Sequence, residues 1–221
     1  MCFSPQADLV GGLVLGVIGL DAARHVRKRR SHLAFAALPF LLGAHQFDEA
    51  FVWWGLQGSV PASVGRLALW IYLLFAFVVL PTYVPLAVFG LEPRGPRRRT
   101  IAGFIALGLG VSGILLVAMV TGPVSGVLGD YHLGYSIGLP AGGLVVGAYV
   151  AATCGSLIFS GYRKLAVFGL VNLLVVALLA RLAIDGFASL WCAWAAVTAG
   201  AIAVTLRHGG EDRLLDVAPT G

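Results

Sequence analysis

Leu41–Leu56 reads LLGAHQFDEAFVWWGL and sets His45, Gln46, Asp48 and Glu49 inside a run that is otherwise apolar enough to cross a membrane. At about 100° per residue on a helix, His45, Asp48, Glu49 and Val52 fall on one narrow stripe, with Trp53 and Leu56 at its edge. The stripe is a cluster of ionisable groups on one face. An aspartate at the centre of a lipid-embedded helix costs roughly 2.5 to 3.5 kcal/mol on translocon scales, so this face is expected to meet protein or a wet cavity rather than lipid.

The rest of the chain supports that reading. With 59% hydrophobic and 11% charged residues over 221 positions, and a mean hydropathy of +0.92, it is far more apolar than a soluble domain, in which about a quarter of residues are charged. It reads as an integral membrane protein. The net charge of +5 does not point to nucleic acid, because the basic residues form short clusters between apolar runs instead of lining one solvated face. Cys2, Cys154 and Cys192 stand far apart with no metal-ligand spacing, so neither a disulfide framework nor a zinc site is expected. The segment before the first apolar run holds Asp8 and no Lys or Arg, while Arg24–Arg30 is basic; a cleavable signal has the reverse order.

The fold expected is all-α, an integral bundle of seven transmembrane helices, each near the ~20 residues needed to span. The spans fall at Gln6–Ala23, His32–Leu56, Val64–Gly90, Thr100–Thr121, Gly134–Phe159, Lys164–Ile184 and Phe187–Leu206. Pro81 and Pro85 predict a kink in the third. Residues 1–207 thus form one transmembrane domain, and His208–Gly221 a polar, disordered tail. Of the 15 basic residues, all but Arg66 and Arg181 lie after spans one, three and five or in the tail. The positive-inside rule then puts the N-terminus outside and the C-terminus in the cytoplasm, in a bacterial plasma membrane. Gly12 and Gly16, Gly138 and Gly142, and Gly143 and Gly147 are spaced as small-residue packing seams. GLGVSG at Gly108–Gly113 matches a dinucleotide glycine pattern, but it sits in an apolar span with no strand before it and is set aside.

In this topology the acidic cluster belongs to the outer half of the bundle. Asp130, Tyr131, His132, Tyr135, Arg181, Asp185 and Arg66 collect at the same level, as do Trp53, Trp54, Trp70, Trp191 and Trp194. The cytoplasmic half carries almost no polar residue apart from Asn172. Together these suggest an aromatic-walled cavity holding acids, open outward or sideways to lipid. Each piece also has a plainer role: tryptophans anchor interfaces, and Arg181 with Asp185 is spaced as a structural ion pair.

Two adjacent carboxyl groups in low dielectric do not both ionise easily, so one is expected to keep its proton and act as a general acid. His45, between them, would orient that proton or hold the partner carboxylate ionised. Such an acid opens an epoxide or protonates an alkene, and aromatic faces stabilise the cation that follows.

The opening MCFSPQADLVGG, the segment GAHQFDEAFVWWGL and the closing FASLWCAWAA resemble a family of small bacterial membrane proteins, common in actinobacteria, that begin Met-Cys-Phe-Ser and mostly have no assigned function. The resemblance covers nearly the whole chain. In size and hydropathy the chain is also similar to the membrane-bound terpene cyclases of bacterial indole-sesquiterpenoid pathways, which cyclise a prenylated indole by acid-initiated cation chemistry. Fungal meroterpenoid cyclases are an analogous seven-helix case that uses a Glu and an Asp as acids. This resemblance implies an acid role for the Asp48 and Glu49 pair. There is no DxDD or DDxxD, so neither soluble class of terpene cyclase is resembled.

The expected function is therefore a membrane-embedded cyclase of a lipophilic isoprenoid, with Asp48 or Glu49 as proton donor, aided by His45. Gln46, Trp53, Trp54, Trp70, Tyr131, Tyr135, Asp185, Trp191 and Trp194 are the candidate substrate-binding residues, and Asp185 and Asp130 the candidates for a second acid. No cofactor and no metal is expected; the partners are the substrate and membrane lipid, not nucleic acid, and the oligomeric state is open. The rivals are a proton-coupled carrier using the same carboxylates, a metal-dependent hydrolase built on His45, Asp48, Glu49 and His132, and a non-enzymatic sensor whose basic loops meet acidic lipid.

Overall fold

The computed structural model describes residues 4–25, 30–129, 132–139 and 142–182, with Trp194, Ala196, Thr198 and Gly200. Helices α1 (Pro5–His25), α2 (Arg30–Leu56), α3 (Ala62–Leu73), α4 (Leu80–Leu91) and α5 (Pro96–Thr121) precede a two-stranded hairpin, β1 (Ser125–Leu128) and β2 (Leu133–Ser136). Helices α6 (Gly142–Ile158) and α7 (Arg163–Leu182) follow. Four stretches, Pro5–Arg24, Ala62–Leu91, Pro96–Thr121 and Arg163–Arg181, are long and apolar enough to cross a membrane. Helix α2 has the length, at 27 residues, but His45, Gln46, Asp48 and Glu49 dilute its apolar character. The protein is helical and built for a membrane, as its composition implies.

Helices α1 and α2 pack antiparallel and nearly backbone to backbone. A Cβ on Gly12 would stand 2.7 Å from the Gly43 carbonyl oxygen, and one on Gly19 would meet the backbone of Phe40. The same device closes α2 onto α3 at Gly55 and Gly65, and α5 onto α4 where Gly108 faces the Pro81 carbonyl. Small residues let helices approach this closely where lipid supplies no hydrophobic drive for association. The seams expected at Gly138 and Gly142 and at Gly143 and Gly147 are not seams. Gly138 sits at φ +59 in a turn against Pro123, and Gly143 and Gly147 have open space around them.

The irregularity that Pro81 imposes on the third span takes the form of a π-helical segment, Leu74–Val79, that joins α3 to α4. Proline has no N–H and crowds the carbonyl one turn back, and a wider turn relieves both problems. Leu80 N–H reaches five residues back to the Phe75 carbonyl, which releases the Ala76 carbonyl to accept from the Tyr149 hydroxyl at 2.8 Å. Nearby, Val78 O accepts from Ser112 Oγ at 2.6 Å, and Tyr72 O is bonded by His45 Nε2 at 3.1 Å. Side chains of three helices therefore converge on one segment.

The expected start of the fifth span at Gly134 is overturned, and with it a strictly all-α fold. Helix α5 ends at Thr121 before an extended Gly122, and Ser125–Leu128 pairs antiparallel with Leu133–Ser136. Four glycines between 126 and 138 make this stretch a poor helix former. Period-two alternation puts Leu133, fully buried, on the same face as Tyr135. Of the expected seventh span, Trp194, Ala196, Thr198 and Gly200 are helical, and Ala196 joins the core that includes Leu15. The rest of that span and the tail lie outside the described residues.

Replacing Gly65 or Gly108 by valine is expected to cost about 1–3 kcal/mol by overpacking a backbone contact, read as a lower unfolding temperature in detergent. Gly110→Ala and Gly113→Ala, whose surroundings are open, are expected to leave that temperature unchanged or raised.

Candidate functional site

Glu49 is the hub of the acidic cluster. It is fully buried, and each of its carboxylate oxygens accepts a hydrogen bond: Oε1 from the Tyr135 hydroxyl at 3.2 Å and Oε2 from Gln46 Nε2 at 3.4 Å. Gln46, one turn earlier on the same helix and also fully buried, supplies the orienting bond that was expected of His45. Tyr135 is brought in by β2 from the far side. Asp48 lies close enough to Glu49 for their charges to interact. It is half-buried, and its Oδ2 has no hydrogen bond among the described residues.

His45 turns away from the carboxyls toward α3. Its Nε2 donates to the Tyr72 carbonyl at 3.1 Å, which fixes the Nε2–H tautomer and leaves Nδ1 as a buried acceptor without a hydrogen bond. The imidazole stacks on Tyr72 with centroids 4.0 Å apart and leans on Phe75 at 4.7 Å. Tyr72 in turn stacks on Tyr135 at 4.5 Å. A column of three rings, His45, Tyr72 and Tyr135, thus runs from α2 across α3 to the hairpin and ends at Glu49.

A third carboxyl completes the cluster, and sequence reasoning missed it. Asp8, in the first turn of α1, is fully buried with neither oxygen hydrogen-bonded, and it sits beside both Glu49 and Trp53. The Trp53 indole N–H is its neighbouring donor, yet stands beyond hydrogen-bond distance. The signal was present in the spacing: Asp8 is one turn before Gly12, and the antiparallel contact of Gly12 with Gly43 and Phe47 carries Asp8 to the level of the carboxyls on α2.

The other candidate residues divide. Trp53 is buried in the cluster, whereas Trp54 is half-buried and meets Phe51 edge-on at 5.2 Å. Trp70 lines a shallow hollow of about 400 Å³ with Ser63, Arg66 and Leu67. Trp194 is helical, and its Nε1 has no hydrogen bond among the described residues. Asp130, Tyr131, Asp185 and Trp191 lie outside the described residues. His132 stands at the end of the hairpin, where its carbonyl accepts Gly129 N–H at 2.8 Å. Among the described residues no three His, Cys, Asp or Glu side chains are grouped to hold a metal ion.

The expectation that the other half of the bundle holds little beyond Asn172 is overturned. Tyr149, Thr153, Ser156 and Ser160 form a buried file along α6 and the turn after it, leading from the π-helical segment to the buried Glu92. Spacings of three and four put them on one face. Their hydroxyls mostly bond helix carbonyls, Thr153 to Tyr149 O at 3.0 Å and Ser156 to Thr153 O at 2.8 Å, which is why such residues do not register as a site in an apolar span.

Tyr135→Phe is expected to keep the ring stack and remove one donor from Glu49, lowering stability by about 1 kcal/mol; Tyr135→Ala is expected to cost more, because the stack goes too. Thermal unfolding in detergent separates the two.

No curated protein and no solved structure matches the chain. The model of one family, described as a family of unknown function (DUF6629), matches residues 1–213, nearly the whole length over which the carboxyl cluster and its supporting helices extend, and the chain belongs to that family.

Proposed function

We propose that the protein is a seven-helix enzyme of the bacterial plasma membrane, N-terminus outside and C-terminus cytoplasmic, that cyclises a lipophilic isoprenoid-derived substrate by acid-initiated cation chemistry. One observation carries the reading: three carboxyl groups, Asp8, Asp48 and Glu49, stand together against stacked aromatic rings in a helical, membrane-type bundle. Glu49, with donors on both oxygens, suits the role of retained anion. Asp48, with an oxygen outside any hydrogen bond, suits the role of acid.

In the proposed reaction Asp48 transfers its proton to the oxygen of a terminal epoxide. The C–O bond to the more substituted carbon breaks with its electron pair going to oxygen, and the next double bond captures the cation. Ring closure ends when a C–H proton beside the last cation passes to a carboxylate of the cluster, so the product is an isomer and the acid is restored. An alkene substrate would begin with protonation at carbon. The faces of Tyr72, Tyr135 and Trp53 support the cation, and the atom balance calls for no cofactor.

A proton-coupled carrier is the second reading, favoured by the buried file of hydroxyls on α6 that ends at Glu92. Because those hydroxyls bond mostly to backbone carbonyls, the file serves packing better than conduction.

Membranes containing the protein, incubated with a farnesylated indole and its terminal epoxide, are expected to yield an isomer of unchanged mass with fewer double bonds, seen by mass spectrometry and NMR. Asp48→Asn is expected to lower turnover by about 100-fold or more while the protein stays folded. Full activity in both Asp48→Asn and Glu49→Gln would end the acid role. No conversion by folded wild-type protein would shift the reading to the carrier, tested by proton-coupled flux in liposomes. For the topology, a green fluorescent protein fused to the C-terminus is expected to fluoresce and an alkaline phosphatase to be inactive; the opposite pattern would invert the orientation.

A further inference from the structure

The end of the bundle opposite the carboxyl cluster carries a second polar construction. Glu92, just past α4 and only 4% exposed, receives Gly161 N–H at 3.1 Å on Oε1 and Ser160 Oγ at 3.3 Å on Oε2. It thereby ties the α4–α5 connection to the turn between α6 and α7. Tyr162 strengthens the tie, its hydroxyl donating to the Leu91 carbonyl at 2.8 Å; burial first, and the Glu92 charge second, push that hydroxyl above its ordinary pKa. Arg98 is consumed locally, donating to Glu92 O at 3.1 Å and lying over the Phe89 ring at 4.0 Å.

This tie gathers positive charge from two remote parts of the chain. Arg94, Arg97 and Arg99 come from the start of α5, Arg163 and Lys164 from the start of α7, and all five side chains are exposed. The two groups are neighbours: a Cβ on Gly161 would stand 3.0 Å from an Arg97 guanidinium nitrogen, and Arg163 is two residues further on. The carboxylate among them, Glu92, is buried and already committed to Ser160 and Gly161. Directly below, the surface turns apolar. Phe159 is 57% exposed and leans on Phe104 at 5.7 Å, with Val167 and Leu170 also exposed on α7. Charge at helix ends above an exposed apolar flank is the pattern of a phospholipid headgroup over its acyl chains.

We infer that this arginine-rich end is a binding site for an anionic phospholipid, its phosphate held between the start of α5 and the α6–α7 turn and its acyl chains lying on Phe159 and the outer face of α7. The inference is independent of the reaction assigned to the carboxyl cluster.

The test uses the full chain in an uncharged detergent, titrated with phosphatidylglycerol, with phosphatidylcholine of the same acyl chains, and with glycerol 3-phosphate, and followed by native mass spectrometry and thermal unfolding. Phosphatidylglycerol is expected to be retained and to raise the unfolding temperature, in a salt-sensitive way, and the other two are not. The combined variant Arg94→Gln, Arg97→Gln, Arg99→Gln is expected to bind phosphatidylglycerol about tenfold more weakly or worse, with its lipid-free unfolding temperature unchanged. Equal response to phosphatidylcholine, or wild-type affinity in the variant, would overturn the proposal. Equal binding of glycerol 3-phosphate would show a free-anion site and overturn the lipid assignment. If the triple variant does not fold, Arg163→Gln with Lys164→Gln and the salt titration of the wild type give the same decision.

Discussion

A carboxyl group inside a membrane-type bundle has no bulk water to hydrate it, and burying such a group without partners costs several kcal/mol. Glu49 meets that constraint with donors drawn from two directions, Gln46 on its own helix and Tyr135 on the hairpin. Much of the local architecture follows from this requirement. The hairpin must reach the bundle, Tyr135 must find a ring to lie on, and Tyr72 must in turn be backed by His45. Asp8 and Asp48, placed against the same anion, make the cluster one in which protons rather than metal ions are the natural balancing charge.

Proline in the third span is the second organising constraint. By forcing a wider turn ahead of Pro81, it leaves carbonyls on three sides of the helix for side chains of α2, α5 and α6 to bond. His45 is held by one of those bonds, so the irregular segment and the acidic site are parts of one arrangement. π-helical turns gather at functional sites for this reason: they offer backbone groups that a regular helix consumes.

The helical, membrane-type character and most helix positions were legible in the sequence, because hydropathy reports burial in lipid almost directly. The polar stripe on α2 was legible too, since His45, Gln46, Asp48 and Glu49 interrupt a long apolar run. What was not legible required knowledge of partners. Asp8 looked like a residue before the first span and became part of the site only through the depth at which α1 crosses α2. Residues 125–136 were read as a loop and a helix start, because a two-stranded hairpin of four-residue strands has too little alternation to register. The direction of His45 depended on a carbonyl whose availability no side-chain pattern encodes. Glycine spacing alone also misled: Gly12 marked a true contact, whereas Gly143 and Gly147, equally well spaced, face open space.

The glycine contacts have a mechanical consequence. Gly12 against Gly43, Gly19 against Phe40 and Gly55 against Gly65 bring α1, α2 and α3 together with no side chains between their backbones. Helices in such contact cannot slide or rotate past one another without collision, so Asp8, Glu49 and Tyr72 ride on a single rigid body. Adjustment inside the acidic cluster is thus left to side-chain rotation and to the hairpin that carries Tyr135. Any rocking of one half of the molecule against the other must bend somewhere else, and the π-helical turn at Leu74–Val79, where the regular ladder of backbone hydrogen bonds is already broken, is the natural pivot.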